Sequence, residues 1–297
     1  MLSWRPKDER TLEFYFEGQE KPEFLPKIET FFKRAESMFP FVKEHSLRIE
    51  SENSFPHSSG IASSASAMSA LAMCLCEWES VIEGKDIDFE KASEAARLGS
   101  GSACRSVYGG FALWGETEHL SGSSDRFARS VPEIHVNFTT LQDTILLIDE
   151  GVKEVSSTVG HGLMNGHMYA SQRFDQARGN IKDILSVLKG GDFNAMAELM
   201  EQEALSLHAM MMTSKTPYLL MRPGTLEVIS RIMARRKQGS PVSFTLDAGA
   251  NVHMIYPSSY VDKAMEFISS ELVDFCANGA YICDKVGTGP QNMVLQR

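Results

Sequence analysis

Ser51–Cys76 reads Ser-Glu-Asn-Ser-Phe-Pro-His-Ser-Ser-Gly-Ile-Ala-Ser-Ser-Ala-Ser-Ala-Met-Ser-Ala-Leu-Ala-Met-Cys-Leu-Cys. The stretch has two halves. Residues 54–64 crowd Ser and Gly around Pro56, which suits a loop. Residues 65–76 are rich in Ala and Met and hold no Pro or Gly, which suits a helix. A small-residue loop running into a helix start gathers free backbone N–H groups and the positive end of the macrodipole at one spot, and that spot attracts an anion. Gly60 lets backbone approach closely, and Ser58, Ser59, Ser63 and Ser64 add hydroxyl donors. An ordinary N-capped helix after a loop has the same composition. No Gly-Lys-Ser/Thr follows Gly60, so this is not a Walker A loop.

Outward from this stretch, the chain of 297 residues is long enough for two domains. Its 43% hydrophobic and 23% charged content are those of a globular protein. A net charge of −10 argues against a nucleic-acid or anionic-membrane partner, which needs a basic face, but leaves room for a locally basic pocket. Cys74, Cys76, Cys104, Cys276 and Cys283 form no Cys-x-x-Cys, so neither a disulfide framework nor a zinc site is expected. No apolar run reads as long enough for a membrane helix, and the first ten residues hold no signal-peptide core. A cytoplasmic protein is the expectation.

Strands are expected over residues 11–16, 46–51, 111–114, 144–149, 242–246, 252–256 and 281–286. Helices are expected over 25–39, 65–82, 86–98, 170–189, 193–212, 225–237 and 259–276. Residues 116–129 read as a polar surface excursion. Mixed elements with short connections make the class α+β, with a boundary near residue 130.

Three further places could carry chemistry. Gly99–Gly110 surrounds a single cation, Arg105, with four glycines and three serines, including Ser100 and Ser102. It is either a tight connection whose arginine is solvated or packs on Tyr108, or a held fork that clamps a carboxylate or phosphate. Asp247 ends an apolar strand beside Ala-Gly-Ala-Asn and is either a site carboxylate or an Asx-turn residue; Asn251 reads as structural. Lys153 and Ser156-Ser157-Thr158 form either a ligand contact or a solvated turn. His208 with Met210-Met211-Met212 reads as core or a subunit contact, and the histidines show no metal-ligand spacing.

The order Pro56, Gly60, Ile61, Ser63-Ser64-Ala65 resembles the phosphate-binding motif of the GHMP kinases. Four segments, residues 55–65, 97–110, 153–160 and 245–251, then resemble the diphosphomevalonate decarboxylase family within that superfamily, with Gly-Ser-Gly-Ser-Ala-Cys-Arg-Ser at 99–106 the diagnostic one. The resemblance implies a two-domain GHMP-kinase-like fold. Residues 1–130 would be similar to ribosomal protein S5 domain 2, residues 131–297 would be ferredoxin-like, and the site would lie in the cleft between them. It implies ATP- and Mg²⁺-dependent decarboxylation of mevalonate 5-diphosphate to isopentenyl diphosphate by a homodimer. By position, Asp247 matches the catalytic aspartate and Arg105 the arginine on the substrate carboxylate. Ser58, Ser59, Gly60, Ser63 and Ser64 match the ATP phosphate loop, with Ser64 reaching Mg²⁺ through the phosphates. Ser100, Ser102, Ser156, Ser157 and Thr158 match substrate-side positions.

The family pattern opens with a Lys-Tyr-Trp-Gly-Lys-type motif that meets the diphosphate, and this sequence has none. The expectation is an N-terminal domain truncated at its start. The alternatives are a phosphomevalonate decarboxylase, a mevalonate 3-kinase, or, in another class, a non-catalytic remnant that binds nucleotide or a partner.

Overall fold

The computed structural model describes residues 1–6, 11–55, 63–149, 151, 160 and 162–291. Two compact units emerge. One holds the described residues up to Val131 together with those from Gly287 on, and the other holds Pro132–Val286.

The first unit is a four-stranded sheet backed by helices. Its strands are β1 (Leu2–Pro6), β2 (Leu12–Phe16), β3 (Gln19–Glu20) and β4 (His45–Ser51), in the order β1-β4-β2-β3. β4 pairs antiparallel with β1 and parallel with β2. Alternation along β4 decides its faces: Leu47 and Ile49 are buried under the helices, while Arg48 is exposed and lies 4.1 Å from the Tyr15 ring centre. α1 (Leu25–Arg34) packs Ile28, Phe31 and Phe32 inward. It stops at Arg34, short of residue 39, although Ala35 and Phe39 stay buried.

α2 (Ser63–Glu83) is the central element. Buried Ala65, Met68, Ala72, Leu75 and Cys76 recur at helical spacing. α3 (Phe89–Gly99) answers with buried Ala92, Ser93, Ala95 and Ala96, so small residues let the two helices approach closely. By length and composition α2 could cross a membrane, contrary to the expectation that no run is long enough. Here its apolar face is filled by the core of its own unit. Burial pushes the Cys76 thiol up to about 12, so it acts as a small hydrophobe rather than a nucleophile. The polar stretch before residue 130 is not wholly surface loop, because β6 (Ala128–Ser130) pairs with β5 (Ala112–Trp114).

The second unit has a four-stranded antiparallel sheet in the order β10-β7-β9-β8. These are β7 (Gln142–Leu146), β8 (Ser243–Leu246), β9 (Val252–Tyr256) and β10 (Tyr281–Lys285). β7 ends three residues before the expected 149, because Leu147 exchanges its backbone bonds with Ala277 and Ala280 instead of the ladder. α4 (Ala170–Gly190) and α5 (Phe193–Met212) form an antiparallel pair; Asp192 caps α5 by accepting from the Asn194 and Ala195 amides. Glu201 of α5 is 5% exposed, and it is matched by Arg236 at 2.6 Å and Ser243 at 2.9 Å. Phe244, Leu246, Val252 and Met254 join α6 (Pro223–Lys237) and α7 (Val261–Phe267) in one core. The helix expected to run to residue 276 breaks after Phe267 into a π turn, Ile268–Leu272. Ser269 and Ser270 both donate to the Glu266 carbonyl there, competing for the acceptor that a regular turn would use.

His253 on β9 donates from Nδ1 to Asp143 at 2.9 Å, and its buried Nε2 has no partner among the described residues. Burial pulls the imidazole's pKa down, but the Asp143 hydrogen bond and the charges of Asp143, Asp247 and Asp284 outweigh it, so the value stands above the ordinary 6.5. The folded protein therefore holds this proton more tightly than the unfolded chain does. That stabilisation is complete below 6.5 and is lost as pH rises through the raised value. Thermal melts across this window should show a fall in wild type that is flattened in His253→Gln and in Asp143→Asn.

Candidate active site

The resemblance marks residues on both units, and each unit positions its own set. Ser58, Ser59, Gly60, Ser156, Ser157 and Thr158, with Lys153, lie outside the described residues.

In the first unit, Ser63 and Ser64 do not belong to the expected loop over residues 54–64. They form the first turn of α2. Ser66 donates back to the Ser63 carbonyl at 3.0 Å, so the early serines bond along the helix rather than unwinding it. Ser64 is exposed, and its Oγ lies 3.2 Å from the Oγ of Ser100, at the end of α3. The structure thus joins two segments separated by 36 positions. The first turn of α2 carries no acidic side chain, so no carboxylate of that turn competes with an anion for its amides. That fits a phosphate. Among the described residues no group of three or more His, Cys, Asp or Glu could hold a metal. Ser64, exposed on that first turn, offers a hydroxyl that could ligate Mg²⁺ carried on a bound phosphate.

After Ser100 the chain enters a 3₁₀ turn, Gly101–Arg105. Ser102 is half-buried and Arg105 exposed. Three features fix this turn. Gly99 sits where a Cβ would be 2.5 Å from the Met68 sulfur, so any larger residue would have to displace the Met68 side chain where α3 ends against α2. Ser93, fully buried, donates to the Cys104 carbonyl at 2.7 Å and accepts from the Ala128 amide at 2.8 Å. Gly109 lies so close to the returning chain that a Cβ would be 2.5 Å from the Thr288 carbonyl group, and Gly110 donates to the Gly287 carbonyl at 2.8 Å. Gly287–Pro290 therefore buttresses the arginine loop. Tyr108 lies against Phe89 rather than under Arg105, and the exposed arginine agrees equally with a solvated side chain and with a fork open to a ligand. Among the described residues the guanidinium makes no hydrogen bond and no ion pair, so all its donors remain available to a ligand.

The Gly109 contact is with backbone, which cannot rotate away. Gly109→Ala should cost about 1–3 kcal/mol, the usual range for overpacking, and lower the melting temperature clearly. Gly287→Ala is the control, because a Cβ there meets open space.

In the second unit, Asp247 opens the loop between β8 and β9. Its carboxylate is exposed and accepts no hydrogen bond among the described residues, which removes the Asx-turn reading. The loop is held by backbone instead. The Asp247 carbonyl accepts from the Gly249 amide at 2.8 Å and from His208 Nε2 at 3.2 Å. Thr225 donates to the Ala250 carbonyl at 2.7 Å, and Asn251, 5% exposed, accepts from the Asp149 amide at 3.1 Å. The Gly151 amide and then Arg222 hold the Asp149 carboxyl below the usual carboxylate range. Asn251 is structural, as its residue type suggested. Ser93, Thr225 and His208 carry no sequence signal beyond polar residues on apolar helix faces.

Two family models match in order. The first, described as the diphosphomevalonate decarboxylase-like N-terminal domain, covers residues 4–128, and the second, the mevalonate 5-diphosphate decarboxylase C-terminal domain, covers residues 144–286. A phosphomevalonate decarboxylase from Haloferax volcanii is 34% identical over 232 residues, 76% of this chain and 66% of the relative. The crystal structure of a mevalonate diphosphate decarboxylase from Staphylococcus aureus is 26% identical with a TM-score of 0.82, over 97% of this chain and 84% of that one. A solved complex of MDDEF with MVAPP, AMPPCP and magnesium is 26% identical with a TM-score of 0.80, over the same 97% and 84%. The chain spans less than two thirds of the length of the curated relatives it matches, from 66% down to 58%. Two family models in sequence and a fold shared with solved members agree: the chain belongs to the diphosphomevalonate decarboxylase family of the GHMP superfamily.

Proposed function

We propose that this chain catalyses the ATP-dependent decarboxylation of mevalonate 5-diphosphate to isopentenyl diphosphate, with release of ADP, phosphate and carbon dioxide. The observation that carries this reading is a pair of exposed charges, Arg105 and Asp247, which make no side-chain hydrogen bond or ion pair among the described residues and sit on turns held by their neighbours; by resemblance they match the family's arginine and aspartate. The solved relative bound to MVAPP, AMPPCP and magnesium supports the same substrate and cofactor classes.

A tertiary alcohol is a weak nucleophile, and the Asp247 carboxylate accepts its proton as the oxygen attacks the terminal phosphorus. The amides at the start of α2, with Ser63 and Ser64, bind and align the phosphates; bound Mg²⁺ supplies charge neutralisation there. The new C–O–P linkage then breaks at carbon, phosphate departs with the bonding pair, and positive charge builds on the tertiary carbon. Carbon dioxide loss returns an electron pair from the C–C bond and forms the alkene. Arg105 holds the carboxylate in line through this sequence. Ser100 and Ser102 contact the substrate. Residues 1–131, with the returning chain from Gly287, serve as the ATP-phosphate domain, and residues 132–286 carry Asp247. The reading includes a cytoplasmic homodimer acting on a small molecule, without a nucleic-acid or membrane partner.

One observation favours a second reading. The relative at 34% identity is a phosphomevalonate decarboxylase. Coupled measurement of ADP and carbon dioxide with mevalonate 5-diphosphate, mevalonate 5-phosphate and mevalonate separates the cases. Equal release of both products from the diphosphate supports the proposal, and a preference for the monophosphate moves it to the second reading. ADP without carbon dioxide makes the chain a kinase, and neither product makes it a non-catalytic binder.

A further inference from the structure

We infer that His208 is a positioning residue for Asp247, acting through the aspartate's own peptide group. The inference rests on the reading of Asp247 as the proton acceptor. His208 lies in the last turn but one of α5 and is 2% exposed. Its Nε2 is 3.2 Å from the Asp247 carbonyl oxygen. A carbonyl only accepts, so Nε2 must carry the hydrogen. Burial holds the imidazole below its ordinary value, with the Asp247 peptide and charge opposing, so the ring is neutral and the proton on Nε2 fixes the tautomer.

The geometry gives this bond a role the others around the loop do not have. Thr225 and Asn251 act at Ala250 and Asp149, three or more residues from the carboxylate in the chain. Gly249 bonds the Asp247 carbonyl from inside the same loop and moves with it. Among the described residues, His208 is the side chain that ties the Asp247 peptide to a different element, a helix anchored elsewhere by buried Met210 and Met211. The carboxylate itself is exposed and has no hydrogen bond or ion pair among the described residues. The backbone therefore sets the point from which it reaches, and an error of about 1 Å at a reacting group costs on the order of a hundredfold in rate.

The test compares kcat, KM and melting temperature for wild type, His208→Leu, His208→Gln, Asp247→Asn and the double variant His208→Leu/Asp247→Asn, with ATP, Mg²⁺ and mevalonate 5-diphosphate. His208→Leu removes the donor at similar volume and should lower kcat about tenfold to a hundredfold, with both KM values within about threefold. His208→Gln keeps an N–H that reaches the carbonyl and should recover kcat to within about threefold of wild type. Adding His208→Leu to Asp247→Asn should lower the residual rate no further. If His208→Leu does not fold, His208→Asn replaces it, because its amide is too short to reach. The inference is overturned if the leucine variant keeps wild-type kcat, if glutamine fails to recover the rate in a folded protein, or if the two changes multiply. Wild-type kcat in Asp247→Asn would instead overturn the reading of Asp247, and the two failures are distinguishable.

Discussion

Asp247→Asn is expected to lower kcat by about a hundredfold to ten-thousandfold, the range that a placed acid or base contributes, with the melting temperature nearly unchanged. The two halves of this result have separate causes. The carboxylate is exposed and takes part in no hydrogen bond or ion pair among the described residues, so folding has little to lose. Every bond that shapes the loop goes through backbone or through neighbours: the Asp247 carbonyl to His208 and Gly249, Ala250 to Thr225, and Asn251 to Asp149. Asparagine preserves the shape and the backbone but cannot take a proton from an alcohol. Single-turnover release of carbon dioxide, alongside calorimetry, reads both quantities. A large loss of stability without a loss of rate would show that the residue is part of the scaffold.

The second large effect is expected at Arg105. Arg105→Lys should lower kcat/KM about tenfold to a hundredfold, because a hydrogen bond to a charged group contributes about 1.5–3 kcal/mol and the change removes one arm of a two-armed contact. Positive charge is retained, so charge alone cannot rescue the variant if alignment of a planar carboxylate is the task. Stability should again hold, since the turn is fixed by Ser93, Gly99 and Gly109 rather than by the guanidinium. The informative readout is the ratio of carbon dioxide to ADP. A fork that aligns the carboxylate for departure predicts that the ratio falls, because phosphorylation proceeds while decarboxylation lags. An unchanged ratio with a raised KM would assign Arg105 to binding alone.

The two variants also separate the family reading from its non-catalytic alternative. A binder would lose ligand affinity in Arg105→Lys and nothing in Asp247→Asn. A decarboxylase loses rate in both.

Much of this protein was legible in the chain. The Ser/Gly stretch followed by an Ala- and Met-rich run marked α2, and the Gly-Ser-Gly-Ser-Ala-Cys-Arg-Ser segment marked the arginine turn, because composition and spacing are local properties. Long periodic segments such as α4 and α5 were placed to within a residue for the same reason. Elements that depend on a distant partner were misplaced or missed. β1 and β6 are short and become strands only by pairing with β4 and β5. The helix after Val261 breaks because two adjacent serines compete for one carbonyl, which a periodicity pattern does not show.

What the sequence by itself determined was the class of fold, the family and the identity of the charged groups, since these follow from residue type and order along the chain. What only the tertiary structure decided was what holds those groups in place. Ser64 meets Ser100, Ser93 locks Cys104 to Ala128, Gly109 passes under Thr288, and His208 reaches the Asp247 peptide. Each of these is a short-range contact between residues far apart in the chain, and its strength depends on ångström distances that a one-dimensional pattern does not contain.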